Sequence, residues 1–579
     1  MMRHTSRFAA LALVTFGGLT SMAVDRGAKS ASESKSIQVM LKPVRDTGGG
    51  IVALDVTLRF ADATTNDRFA LRAPLTVYSF SGVAERLRDL RMTDAGGQIA
   101  VTVSTETGHR VWRPDRPVLW PLVVNYRAIV PQSRLTAGPP IDLRTFAGGL
   151  TFGGQGFLAL PNDSLPYRIR LGWDLDAFAA GAIGVSSLGE GRVDTVAPLS
   201  VLTRSFYLAG PVSRYPERGD VSGFSAFWLG EKDSVDTRAE MAWAATAYAR
   251  LKTFFHDSTR RQYRFFTRVL PEPSTSGGTA SINSFMLQVP KPTRSNDPAE
   301  VHSLPRGVII HEMIHGWVGG VSCRTNTQWF GEGATTFFTT RTALKLALLP
   351  VEAAARDYTG LSGDYYPNPY RNVSADSAAD AFWFSKAGER LPYARGALYM
   401  MSLNARIQKA SARRRSLEDM MFDLFAQRAR EGSLSTDAFV RALTTELGPG
   451  AAAEFDSVIV RGSETISLPP DAFGPCFSRQ TIRVVVPDFT FRRNESARRI
   501  VTSLRSESAA FQAGLRDGDE VTNQVDLGDI EKNPSEPIVL EIRRGEQART
   551  IRYLPHSLAV ESYEWTRVPR VPEEVCRQG

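Results

Sequence analysis

The chain has 579 residues, 42% of them hydrophobic and 22% charged, with three cysteines and a formal net charge of +8. That length is too great for one core and the composition is that of a globular protein, which excludes fibrous and broadly disordered classes. The positive excess is spread over many sites, and its sharpest cluster, Lys409 to Met420, runs at once into acidic residues, so a solvated helix face is expected there and no nucleic-acid partner.

Arg3 and Arg7 precede the apolar run FAALALVTFGGLTSMAV, with small residues at Ser21 and Ala23. This is the pattern of an export leader over 1–23, cleaved after Ala23. A retained anchor is the alternative reading. Gly17, Gly18, Thr20 and Ser21 interrupt the run, which falls short of the roughly 20 apolar residues a span needs. Cleavage leaves a charge of +6, no stable membrane span, and a periplasmic or secreted protein.

From Ser36 to Leu202 the apolar and polar residues mostly alternate between Gly, Pro, Asn and Asp breaks, as in SIQVMLKPV, IVALDVTLRFA and VLWPLVVNYRAIV. An all-β, sandwich-like domain is expected over 24–202. Helical periodicity starts near Asp236, a plausible cap for a stripe of Met241, Ala244, Ala245, Tyr248, Leu251 and Phe255. YRFFTRVL and SFMLQVP read as strands, and residues 305 to 447 read as mostly helical, ending in a helix that stops at Gly448. A mainly α domain is therefore expected over 203–470. Strands return near Arg479, and the residues from 557 read as an extended tail. In an oxidising compartment Cys476 and Cys576 can staple that tail. Cys323 is left over and reads as a buried thiol.

HEMIHGWVGG, His311 to Gly320, carries two of only seven histidines. It lies in a segment apolar on nearly every face, with Ser303 and Pro305 at its start and Gly319 and Gly320 at its end. A buried helix does not carry two imidazoles and a carboxylate without partners, because unpaired burial is costly. At spacing i, i+4, His311 and His315 share one face and can bind one ion. Zinc suits imidazole, and a catalytic zinc keeps three protein ligands and an open position. Glu312 then stands where it can take a proton from water. Two satisfied core histidines beside a stray glutamate are the bland alternative. Glu332, 17 residues beyond His315, heads the helix that follows and is the expected third ligand; Cys323 is its rival, and a plain helix-start glutamate is a third option.

HExxH followed by Glu332 within Trp-x-x-Glu-Gly resembles the gluzincin metallopeptidases. LPYARGALYMM is similar to that clan's Tyr-x-Lys-Gly motif, with Tyr393 and Gly396 matched and Arg395 in place of lysine. The resemblance implies a thermolysin-like fold and a role for Tyr393 in stabilising the oxyanion. SESAAFQAGLRDGDEVTNQ resembles part of a PDZ domain, expected over 477–556 with a tail over 557–579. Together these features resemble the glycyl aminopeptidase family. That resemblance implies a zinc-dependent peptidase, most simply an aminopeptidase acting on a peptide or protein, and a peptide or internal segment as PDZ ligand. It places Gly277, Gly278, Thr279 and Arg395 along the substrate. Two departures stand out. Ala280 and Ser281 occupy the positions of the family's glutamate and histidine, so the carboxylate that anchors a free amino terminus is missing. FRRNESA, before the strand RRIVTSL, has no glycine to expose amides for a peptide carboxylate. An endopeptidase and an inactive peptide-binding protein remain the alternatives.

Overall fold

The structure is a computed structural model and describes residues 35–61, 69–78, 80–131, 139–232, 235–271, 277–291, 303–322, 326–382, 385–486, 488–493, 498–523, 536–555 and 559–578. Residues 1–23, expected to be a leader, Cys323 and residues 494–497 of FRRNESA lie outside them. Among the described residues no helix is long and apolar enough to cross a membrane. The chain divides into two compact units, 35–316 and 317–578 of the described residues.

The first unit opens with a seven-stranded sheet in the order Val193–Pro198, Pro166–Trp173, Ser36–Arg45, Ile51–Phe60, Leu122–Ile129, Leu87–Asp94 and Gly97–Ile99. Burial alternates along Ser36–Arg45, as the sequence alternation requires of a strand with one solvated face. The inner face supplies Ile37, Val39, Leu54, Val124 and Ile169. These share one core with Leu150, Phe152 and Tyr207 of a second, five-stranded sheet, where Phe152 stacks on Tyr207 at 5.2 Å. The sandwich-like expectation fits this arrangement, but its boundary at 202 does not. Phe206–Gly210 lies beyond that boundary and pairs with both Gly149–Gly153 and Ile183–Ser186.

A mixed five-stranded sheet follows, ordered Ser213–Tyr215, Phe224–Leu229, Tyr263–Leu270, Ser284–Pro290 and Gly277–Ser281. Its three inner strands are parallel and almost continuously buried, because helices or a second sheet must cover both faces of such strands. Helix α1, Thr237–Phe254, makes the crossover between the first two; the Asp236 carboxylate caps it by accepting from Ala239 N–H at 3.0 Å. Arg268, 1% exposed, donates to Asp142 at 2.5 Å and to Gln288 at 2.6 Å, while Arg144 donates to Asp142 at 2.9 Å. That buried cation is thereby satisfied on both sides. Helix α2, Arg306–Val318, runs across the division between the units.

In the second unit, α3 (Gln328–Gly331), α4 (Gly333–Lys345), α5 (Val351–Tyr365) and α6 (Ala375–Phe382) gather around the long α7, Lys386–Ala410. Helices α8 (Leu417–Glu431) and α9 (Thr436–Leu447) follow, and a short helix, Gly450–Phe455, comes after them; α9 is capped by Ser435 and ends at Gly448. Among the described residues, the part between 490 and 553 is an antiparallel five-stranded sheet with a helical turn, Ala509–Gln512, around Val501, Leu515, Leu540 and Ile542. Two readings from sequence change here. Phe477–Val485 belongs to no such sheet: it pairs over nine residues with Ala559–Arg567. The residues expected to form an extended tail are therefore a strand followed by a helix, Glu573–Gln578. Cys476 and Cys576 are bonded, with Cα atoms 5.3 Å apart.

Candidate metal centre

Helix α2 is held at both ends. At its start the Pro305 carbonyl accepts from Ile309 N–H at 3.1 Å, so proline stands just before the helix, one position earlier than a first-turn residue. Arg306 donates to both oxygens of Glu240 at 2.7 and 3.1 Å. At its end Gly319 takes φ +61°, a conformation that costs glycine little. There the Arg428 guanidinium donates to the carbonyls of Val318, at 2.5 Å, and Trp317. Burial pulls that guanidinium down to about 10. Ile309, Ile310, Met313, Ile314 and Val318 are fully buried, which fixes the rotation of the helix. His311 and His315 share the remaining face, half-buried, with ring centroids 4.7 Å apart.

Glu332 joins α3 to α4. Its backbone is helical, its N–H donates to the Gln328 carbonyl at 2.8 Å, and its own carbonyl accepts from Thr336 N–H at 2.8 Å. Neighbouring glycines set its height. A Cβ on Gly333 would fall 2.4 Å from Cα of Gly396, and one on Gly396 would fall 2.0 Å from the Trp329 carbonyl oxygen. The α3–α4 joint is thus pressed backbone to backbone against α7.

His311, His315 and Glu332 form a group whose ligand atoms all lie within 4.8 Å of one another. Two imidazoles and one carboxylate are the donor set of a catalytic zinc. Tetrahedral ligands at about 2.1 Å from an ion stand about 3.4 Å from each other, so small side-chain rotations bring this group to binding distance. The residues fit the metal.

Glu312, on α2, is 7% exposed and its side chain packs against the edge strand Gly277–Ser281. A Cβ on Gly278 would meet its Cγ at 2.5 Å and its Oε1 at 2.6 Å. Only glycine leaves room for the carboxylate at that place. The Tyr263 hydroxyl donates to the Glu312 backbone carbonyl at 3.4 Å; burial, then Tyr248 and Glu312, push that hydroxyl well above its usual range. Gly277 and Thr279 are half-buried on the same strand, and the Thr279 hydroxyl donates to the Gly278 carbonyl at 2.7 Å. Ala280 pairs with Phe285 and brings no carboxylate.

Tyr393 is half-buried on α7, stacked with Phe382 at 6.4 Å and one turn before Gly396. Arg395 departs from the expectation of a substrate contact. It is 2% exposed and its guanidinium donates to the carbonyls of Tyr370, Arg371 and Val373 at 3.3, 2.8 and 2.9 Å. It holds the turn after α5, and burial lowers its pKa. The Gly333–Gly396 contact and the Arg428 cap were not read from the sequence. The glycines flanking Glu332 and following Tyr393 were the available signal for the first; nothing local marks the second.

No protein-family model matches the sequence, and no curated protein sequence is similar to it. Among solved structures, an aminopeptidase N family protein from Idiomarina loihiensis is similar in fold. Its TM-score is 0.71 at 16% identity, over 93% of this chain and 99% of that one. Native yeast LTA4 hydrolase is more remote, with a TM-score of 0.46 at 13% identity over 76% of this chain and 69% of its own, and carries no argument. At 16% identity the first likeness shows that the two chains share a fold.

Proposed function

We propose that this protein is a zinc-dependent peptidase. The observation that carries the reading is the convergence of His311, His315 and Glu332, with Glu312 next to His311 on α2 and packed against Gly278 of the edge strand. The shared fold with a protein of the aminopeptidase N family supports it. Zinc held by the three residues would supply Lewis acidity to a peptide carbonyl and make a water acidic near neutral pH. Glu312 takes the proton of the attacking water and passes it to the leaving amine. Tyr393 donates to the developing oxyanion. The exposed edge of Gly277–Ser281, with Gly277, Gly278 and Thr279, aligns the substrate backbone.

The test is Glu312→Gln with metal analysis. The variant should keep about one equivalent of zinc and lose at least ~10³-fold in peptide turnover. Undiminished turnover refutes the assignment. Ala280 favours a second reading, in which the enzyme cleaves inside peptides. Comparing N-acetylated with free peptides separates the two: preference for the blocked substrate excludes the aminopeptidase. The Cys476–Cys576 bond supports a periplasmic or secreted location. We assign residues 490–553 to a PDZ-type module whose ligand is a peptide or an internal segment.

A further inference from the structure

In the second unit, α4, α7 and residues 469–474 border a partly open cavity of about 360 Å³. Its inner wall is apolar, formed by Phe337, Leu344 and Met401, all buried, with Phe473 beside them. Its rim is cationic. Arg341 and Arg406 line it but are committed to Glu418 and Glu454, each at 2.5 Å. Lys409 and Arg413 also line it, are exposed, and make no ion pair among the described residues. Asp471 is the one carboxylate in the lining. Lys409 and Arg413 belong to the basic cluster that the peptidase reading leaves without a task. The turn that presents Arg413 is itself unusual: Ala412 and Arg413 both take left-handed backbone, at φ +49° and +61°. Such geometry persists only where the surroundings impose it.

Small-molecule sites are concave, with apolar walls and a few converging polar groups. We infer that this cavity is a binding site for a small amphipathic monocarboxylate, its apolar body against Phe337, Leu344, Met401 and Phe473 and its carboxylate at Lys409 and Arg413. A neutral ligand would forgo the rim cations, and a polyanion would meet Asp471. None of the three candidate metal ligands lines this cavity: Phe337, the lining residue of α4 nearest in sequence to Glu332, lies five residues beyond it, about 8 Å along the helix at 1.5 Å per residue. Its wall is also preformed. Cys576 lines the cavity and is bonded to Cys476, two residues beyond Gly474.

Calorimetric titration of the full chain with decanoate and with N-acetylphenylalanine tests this. The two represent the alkyl and the peptide-derived sources of the chemistry, and decanol serves as the uncharged control. At least one carboxylate should bind with a submillimolar Kd. Lys409→Gln/Arg413→Gln should weaken it at least tenfold while leaving decanol unchanged. Arg430→Gln/Arg441→Gln, an equal charge change at exposed positions outside the lining, should leave carboxylate binding unaltered. The inference is overturned by absence of binding of both carboxylates, by equal affinity in the rim variant, or by equal weakening in the control variant. Peptide hydrolysis is not the readout, so the outcome does not depend on the peptidase reading.

Discussion

A methyl group on Gly396 would lie 2.0 Å from a carbonyl oxygen and 2.7 Å from Cα of Gly333, both backbone atoms that cannot swing aside. In α2, a methyl on Gly316 would meet nothing within 4 Å, and the residue is exposed. Helix propensity assigns both Gly→Ala changes the same gain of about 1 kcal/mol. Packing reverses the sign at one of them. Gly316→Ala should raise stability by roughly 0.5–1 kcal/mol. Gly396→Ala should lower it by about 1–3 kcal/mol and weaken metal binding, because the α3–α4 joint must move and Glu332 with it. Denaturant unfolding with zinc titration checks both; equal effects of the two substitutions would remove the close-approach account. The same contrast explains which site residues were legible. The pairing of His311 with His315 follows from helix geometry, and so can be read from spacing alone. The committed guanidinium of Arg395 cannot, because its three carbonyl partners sit more than twenty residues upstream and nothing in LPYARG distinguishes a buried arginine from one facing substrate.

Helix α8 shows how an element is fixed by its first turn. The Ser416 hydroxyl accepts from Asp419 N–H, and the Asp419 carboxylate accepts from Ser416 N–H, a reciprocal capping box. Between them Glu418, 6% exposed, accepts from Arg341 at 2.5 Å and Lys345 at 2.6 Å on α4. Burial by itself would raise the Glu418 pKa, but the two cations outweigh it and hold the carboxyl below its ordinary 4.5. A folded-state pKa below the unfolded one contributes stability above about pH 4.5, lost as pH falls through the folded value. Glu418→Gln should therefore cost about 2 kcal/mol at pH 7, and the gap to wild type should narrow steadily below pH 4.5. A gap that stays constant down to pH 3 would show that packing alone holds these helices. Elements with a local signature were readable in this way, including the cap at Asp236 and the stop at Gly448. Phe224–Leu229 was not read as a strand. It is buried at every position, Ser225 included, so its sequence shows no apolar–polar alternation with a period of two.

Over the whole chain, the sequence is least informative about which distant segments meet. Strand-like alternation identifies Ser36–Arg45 and Pro166–Trp173 separately, yet nothing local says that they lie side by side and parallel. Nor does it say that Phe206–Gly210 completes a sheet begun at Arg144, or that residues 559–567 return to pair with 477–485. Register across such separations is set by burial in the finished fold. One long-range link was visible, because the chain has three cysteines and two of them, Cys476 and Cys576, flank its last hundred residues, where an oxidising compartment would let them pair. The Cys476–Cys576 bond closes a 100-residue separation around the five-stranded sheet. On the chain-entropy account a loop of that size is worth about 4.7 kcal/mol, and measured values run lower. Other contacts tie the same end down: Arg577 donates to the Leu344 carbonyl at 3.1 Å, and Arg567 pairs with Glu352. The double substitution Cys476→Ser/Cys576→Ser should therefore lose about 2–4 kcal/mol while keeping the fold. Amide exchange should quicken first in Phe477–Val485 and Ala559–Arg567, the two strands nearest the missing link. Reductant should produce the same shift in the wild-type protein and none in the variant. Exchange that rises uniformly over the chain, or a variant as stable as wild type, would mean that strand pairing alone closes the loop.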